Sequence, residues 1–194
     1  MNEQHPREPE RESQNDLHPR IWVGSLADYN AGRLHGTWLD AAVDTDQLVD
    51  GEQRMLASSQ EPGAEEWAIF DFDEFGAYRV DEYADLTQVA RVARGIKEHG
   101  GAFAAWAQLH DGEPDMLDNF EDAFLGTYDT AVDWAREVLD DSTLEAELDR
   151  AVPDSLRAYI SVDSTAFVHD CQIGGDIDVE ANPDGGVWIF RADV

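Results

Sequence analysis

The apolar positions fall into short blocks separated by glycine, proline and acidic residues. The run RIWVGSL, residues 20–26, reads as a strand leading into a glycine-rich turn, and GTWLDAAV, 36–43, as a second strand. Asp44 can cap a helix over 45–56 with Leu48, Met55 and Leu56 as its apolar side. EEWAIFDFDEF, 65–75, alternates apolar and acidic residues, the period of a strand. Residues 20–84 therefore predict an α+β module, a small sheet with one helix.

The period then changes. Leu86, Val89, Val92, Ala93 and Ile96 keep helical spacing, Asp85 and Gln88 have capping-box-like spacing, and Gly100 supplies the stop. A second helix is expected over Phe103–Leu109, broken by Gly112 and Pro114. The stretch 119–194 predicts four short helices punctuated by Gly126 and Pro153, with N-cap signals at Thr130/Asp133 and Ser142/Glu145. A closing hairpin is expected between 173–180 and 187–192, turning through Asn182-Pro183-Asp184-Gly185-Gly186. The segmentation is 20–84, 85–118 and 119–194, preceded by a polar, Glu- and Pro-rich tail over 1–19 that is expected to be disordered. No internal repeat stands out.

Charge changes the picture most. There are 43 Asp and Glu against 13 Lys and Arg, for a net charge of −30. Acids outnumber bases 14 to 4 over 20–84, 6 to 3 over 85–118 and 18 to 4 over 119–194, so the charge is not a tail block. Such a chain repels phosphate, which excludes direct nucleic-acid binding and an anionic membrane surface, and it favours a cationic partner. Glu121, Asp122, Asp129, Asp133, Glu137, Asp140, Asp141, Glu145, Glu147 and Asp149 crowd one segment. At helical spacings of three or four, Asp129, Asp133, Glu137 and Asp140 or Asp141 would form one carboxylate row.

Three readings of the acidity stand together: a solvated acidic face, adaptation to high salt, and imitation of a polyanion. Duplex DNA carries about one charge per 1.7 Å of axis. A dimer of this chain would match roughly 30 base pairs in charge.

Candidate chemistry is sparse. The three glycines of IWVGSLADYNAGRLHGTWLD (Gly24, Gly32 and Gly36) invite a phosphate-loop reading, but no Gly-Lys-Ser/Thr follows and G-x-G-x-x-G is absent. Gly32 and Gly36 read instead as turn residues between two strands. DFDE at 71–74 and Asp111, Glu113, Asp115 and Asp118 lack the calcium-loop pattern. His169 and Cys171, taken as strand neighbours, are too few for zinc and not assured as a nucleophile pair. No catalytic residue, metal ligand or cofactor is assigned, and the chain is not expected to be an enzyme. The single cysteine suits a reducing cytoplasm. No apolar run of about 20 residues predicts a membrane span, and the N-terminus has no signal-like apolar segment.

The ordered set of motifs resembles the ArdA antirestriction proteins. Tyr29-Asn30-Ala31-Gly32 with Gly36 and Trp38 is similar to the family's opening signature. EEWAIFDFDEF with VDEYADLTQVARV, FEDAFLGTYDTAVDWAREVLDD, VPDSLRAYISVDSTAFVHDCQIGGDI and GGVWIFR resemble its later landmarks, over about 20–194. One departure is His169-Asp170, where the family often has Arg-Asp. The resemblance implies an elongated chain of three small domains, α+β, helical and α+β, that dimerises through the C-terminal one. It implies a DNA mimic that fills the DNA groove of type I restriction–modification enzymes, chiefly the methyltransferase core.

The mimic surface expected on that basis is Asp71, Asp73, Glu74, Asp81, Glu82, Asp115, Asp118, Glu121, Asp122, Asp129, Asp133, Glu137, Asp140, Asp141, Glu145, Glu147 and Asp149. The rival is a salt-adapted acidic protein that binds another basic protein, or a small-ligand module.

Overall fold

The computed structural model describes residues 17–141 and 144–194, with the backbone alone at Asp141 and Glu145. The tail over 1–16 and the Ser142/Glu145 cap lie outside the described residues. Residues 17–19 do not hang free: Pro19 is buried and its carbonyl accepts a hydrogen bond from Ala41 N–H at 2.8 Å.

The protein is mixed α and β, with two small antiparallel sheets, and separates into two compact units, one ending at Ala104 and the other spanning Ala105–Val194. The first holds β1 (Arg20–Ser25), α1 (Leu26–Asn30), β2 (Gly36–Asp40), α2 (Thr45–Ala57), β3 (Trp67–Asp73) and α3 (Leu86–His99). The division falls within α4 (Gly101–Leu109). The second unit continues with α5 (Pro114–Asp118), α6 (Phe120–Ala123), β4 (Phe124–Tyr128), α7 (Ala131–Asp141), α8 (Leu144–Ala151), α9 (Asp154–Arg157), α10 (Ser164–Gly174), β5 (Ile177–Ala181) and β6 (Val187–Arg191).

The first sheet has the order β2-β1-β3, antiparallel throughout. Side chains of paired residues share a face, so the registers define rows. Leu39–Ile21–Phe72 and Thr37–Val23–Ile69 are the inner rows, and Ile21 and Val23 are fully buried. Helix α2 packs behind them, its Gly51 against the Leu39 side chain. Asp40–Arg20–Asp73, Trp38–Trp22–Asp71 and Gly36–Gly24–Ala68 are the outer rows, with a bulge that sets Phe70 out of register.

The expected turn role of Gly36 is therefore corrected. Gly32 does turn, at φ +78°, but Gly36 is a strand residue opposite Gly24, and the Trp22 ring lies across both. A β-carbon at Gly36 would fall 2.4 Å from the Val23 carbonyl oxygen and 2.5 Å from the Trp22 ring. The segment between the strands also contains α1, which the glycine pattern concealed; Ser25 caps it by accepting from Asp28 N–H at 3.2 Å.

In the second unit the order is β4-β6-β5. The central strand β6 is buried on both faces, which explains its unbroken VWIF run. Ile189 joins Trp134, Ala135, Val168 and Ile177 in one cluster. Phe190 faces Trp106, Phe120 and Phe124, with ring centroids 5.3–6.3 Å apart. The expected hairpin is present as β5 and β6, turned by Asp184 N–H donating to Asn182 Oδ1 at 3.0 Å.

Two expectations are corrected. FLGTY is strand β4 rather than helix, and His169 and Cys171 lie on helix α10, which runs to Gly174, so the first strand of the hairpin begins at Ile177 rather than at 173. Asp163 caps α10 by accepting from Thr165 N–H and Ala166 N–H, both at 3.0 Å.

His110 packs on Trp106, with ring centroids 4.0 Å apart, and its Nε2 is buried with no hydrogen-bond partner among the described residues. Burial pushes its imidazole below the usual value, against the opposing pull of Asp178 and Asp111.

Two predictions follow from this packing. Gly36→Ala should cost about 2–3 kcal/mol by overpacking, whereas Gly32→Ala, strained in φ but clear of neighbours, should cost about 1 kcal/mol; urea unfolding that reverses this order would refute the role given to Gly36. Because the folded state disfavours protonated His110, the stability it contributes is full above the ordinary histidine pKa and lost as pH falls through and below it. The urea midpoint should therefore drop less between pH 7.5 and 5.5 in His110→Phe than in the unsubstituted protein.

Candidate acidic interaction surface

Each unit sets most of its described carboxylates outward, because its interior is apolar and a buried, unpaired carboxylate is costly. In the first unit Asp71, Glu74, Asp81 and Glu82 are exposed and Asp73 is half-buried. Asp71 and Asp73 alternate with Phe72 along β3, so the two acids share the outer face while Phe72 turns to the core. Glu74 follows at φ 59° and accepts from His18 N–H at 2.6 Å. Asp81 and Glu82 lie on the loop after β3; Glu82 lends its carbonyl to Ile69 N–H at 2.9 Å, which leaves its carboxylate outward. The local potential is negative enough to raise the Tyr83 phenol, first through the Glu82 charge.

In the second unit Asp115 and Asp118 lie on α5, Glu121 and Asp122 on α6, and Glu147 and Asp149 on α8, all exposed. Helix α7 is built as expected: Thr130 Oγ1 donates to Asp133 Oδ2 at 2.6 Å and accepts from Asp133 N–H at 3.2 Å. These bonds, foremost the Thr130 hydroxyl, hold the Asp133 carboxyl below its usual range. Trp134 and Ala135 turn to the core. Asp133, Glu137 and Asp140 recur one turn apart on α7 and make the carboxylate row. Asp129 precedes the helix, so the row begins at Asp133. The side chains of Asp141 and Glu145 lie outside the described residues.

Few cations offset this surface. Asp133 pairs with Arg136 at 2.8 Å, Asp149 with Arg157 at 2.6 Å and Asp73 with Arg20 at 2.7 Å. These are exposed pairs of small individual worth.

One ionic network escaped the sequence reading. Asp28 is buried, accepts from the Ser59 hydroxyl, and meets Arg33 Nη2 at 3.3 Å; Arg33 also binds Glu61. The Ser59 bond foremost, then Ser25 and Arg33, hold the Asp28 carboxyl below its usual range despite burial. The signal was present as Ser25-x-x-Asp28, a capping spacing. Its job is to pin α1 and the Gly32 turn to the loop after α2.

Among the described residues no three His, Cys, Asp or Glu side chains converge to hold a metal ion. An open groove of about 820 Å³ lies between β2 and α2, lined by Leu39, Val43, Leu48 and Arg54 among others. Arg54 spends its Nε on the Asp50 carbonyl at 3.0 Å, and no nucleophile–base pair lines the groove. Cys171 is half-buried on α10, and burial pushes its thiol up, away from reactivity. No helix among the described residues is long and apolar enough to cross a membrane.

A search of curated proteins finds no match. The family model described as antirestriction protein (ArdA) matches residues 21–183. That span runs from β1 through the β5–β6 turn and takes in both units, and the chain therefore belongs to the ArdA antirestriction family.

Proposed function

We propose that this antirestriction protein acts as a mimic of duplex DNA. Its carboxylates take the place of phosphates in the DNA groove of a type I restriction–modification enzyme, chiefly the methyltransferase core, and block restriction. The observation that carries this reading is the placement of the acids: those described from Asp71 to Asp149 in the expected set are exposed or half-exposed, in both units, with few intrachain cations. The partner would be a basic groove in the cytoplasm, and the protein would bind no nucleic acid itself. In this reading residues 20–84, 85–118 and 119–194 act as three domains.

The protein acts as a homodimer joined through the C-terminal domain. Leu156, Tyr159, Ile160, Val162 and Ile173 are exposed apolar side chains there, and Tyr159 is 85% exposed. Two copies would present twice the −30 of one chain, a charge on the scale of about 30 base pairs.

Binding of this kind is steered by charge, spread over many residues and weakened by salt. Single Asp or Glu neutralisations should change inhibition less than about threefold, while joint Asn/Gln substitution of the described acids from Glu121 to Asp149 should abolish it. The measurement is displacement of a labelled duplex from a purified type I methyltransferase at about 50 mM and 300 mM salt. No displacement at low salt would sink the mimic reading, and loss of inhibition from one alanine change in a folded protein would replace it with a discrete site.

A further inference from the structure

The outer face of the first sheet departs from the acidic rule. Its middle row is Trp38–Trp22–Asp71, and Phe70 and Tyr29 extend it: Phe70 meets Trp22 edge-on at 5.5 Å and Tyr29 at 5.3 Å. Trp38 is 40% and Tyr29 57% exposed. Gly24 and Gly36 supply the bare backbone on which the Trp22 ring rests, so the platform is built into the strands. Exposed aromatic side chains, Trp38 on the sheet and Tyr29 on the short helix beside it, have the composition of an interface centre.

The adjacent row shows what such a platform holds. Arg20 places its guanidinium 4.8 Å from the Trp38 ring centroid while its Nε and Nη2 donate to Asp73 Oδ2 at 3.1 and 2.7 Å. One cation thus sits against both a ring and a carboxylate. The next row repeats ring and carboxylate as Trp22 and Asp71. Asp71 accepts from Phe72 N–H at 2.9 Å and has no ion pair among the described residues. The chemistry that completes it is a further guanidinium or ammonium.

We propose that this face is a second contact on the enzyme, taking arginine or lysine side chains of its basic surface against Trp22, Trp38 and Tyr29. The inference rests on the mimic reading and adds to it. Aromatic stacking and apolar burial are screened far less than exposed carboxylate pairs, so the platform supplies the part of the affinity that persists when salt weakens the rest. DNA in the groove, its bases stacked inside the duplex, offers no equivalent.

The test is the same displacement assay with Tyr29→Ala/Trp38→Ala, with Tyr29→Phe/Trp38→Phe as the conservative control and circular dichroism as the check on folding. The alanine variant should lose roughly tenfold in affinity at about 50 mM and at about 300 mM salt alike, the loss of one strong interface centre that salt does not screen, while the phenylalanine variant retains most of it. Equal inhibition by the alanine and unsubstituted proteins at both salts would overturn the proposal while leaving the mimic reading intact. Failure of the unsubstituted protein to displace DNA at low salt would overturn both. Reduced self-association of the alanine variant in sedimentation, without weaker enzyme binding, would assign the face to a second copy and also overturn it.

Discussion

Mutual repulsion among carboxylates constrains everything else in this molecule. Two unit charges about 6 Å apart repel by roughly 0.7 kcal/mol in water and by several times that at the lower dielectric of a protein surface. With 43 acids and 13 bases, most carboxylates have no cation to meet. The fold answers by turning acids to water and keeping the interiors apolar. Among the described residues the most deeply buried acid, Asp28, carries a dense set of donors: Ser59, Ser25 and Arg33. Glu52 on α2 is buried without such a set among those residues, and burial pushes its carboxyl up, toward the neutral form.

The same constraint explains why both sheets are small and aromatic. A core that must resist outward electrostatic pressure needs much apolar area from few residues, and large rings supply it. Strand β6 is the economical solution: Ile189 serves one cluster and Phe190 another. Helix α7 shows packing and surface charge coupled within one element. Trp134 and Ala135 fasten it to the core, and that anchorage lets Asp133, Glu137 and Asp140 stand a turn apart on the other side. The like-charge cost of the row, a few tenths of a kcal/mol per pair, is borne by packing that the acids themselves do not make.

What was legible in the sequence was local. The Asp85, Thr130 and Asn182 signals act within three residues and appear as hydrogen bonds. The exposure of the acids followed from solvation alone. What escaped was set by distant partners. FLGTY became a strand because β6, some 60 residues on, offers it an edge, with a bulge between Phe124 and Gly126 accommodating the glycine that looked like a helix break. Gly36 looked like a turn because its purpose, room for the Trp22 ring, depends on a residue across the sheet. For α10 the cap at Asp163 and the left-handed Gly175 are local signals that the strand reading of 173–180 and of His169/Cys171 left unused.

The glycine-rich opening stretch therefore separates two jobs that a sequence pattern merges. Gly32 supplies a backbone conformation, and any neighbour-free turn could use it. Gly24 and Gly36 supply absence: no side chain stands between the sheet and the Trp22 ring, so an aromatic surface lies flat where alternation would otherwise place two more side chains. A protein that imitated phosphate by charge alone would need nothing of this sort, since carboxylates on any scaffold carry the same charge. Charge fixes the class of partner and the rate of encounter. Discrimination among basic surfaces requires contacts that depend on shape, and aromatic side chains such as Trp22, Trp38 and Tyr29 are groups whose energetics depend on fit rather than on net charge.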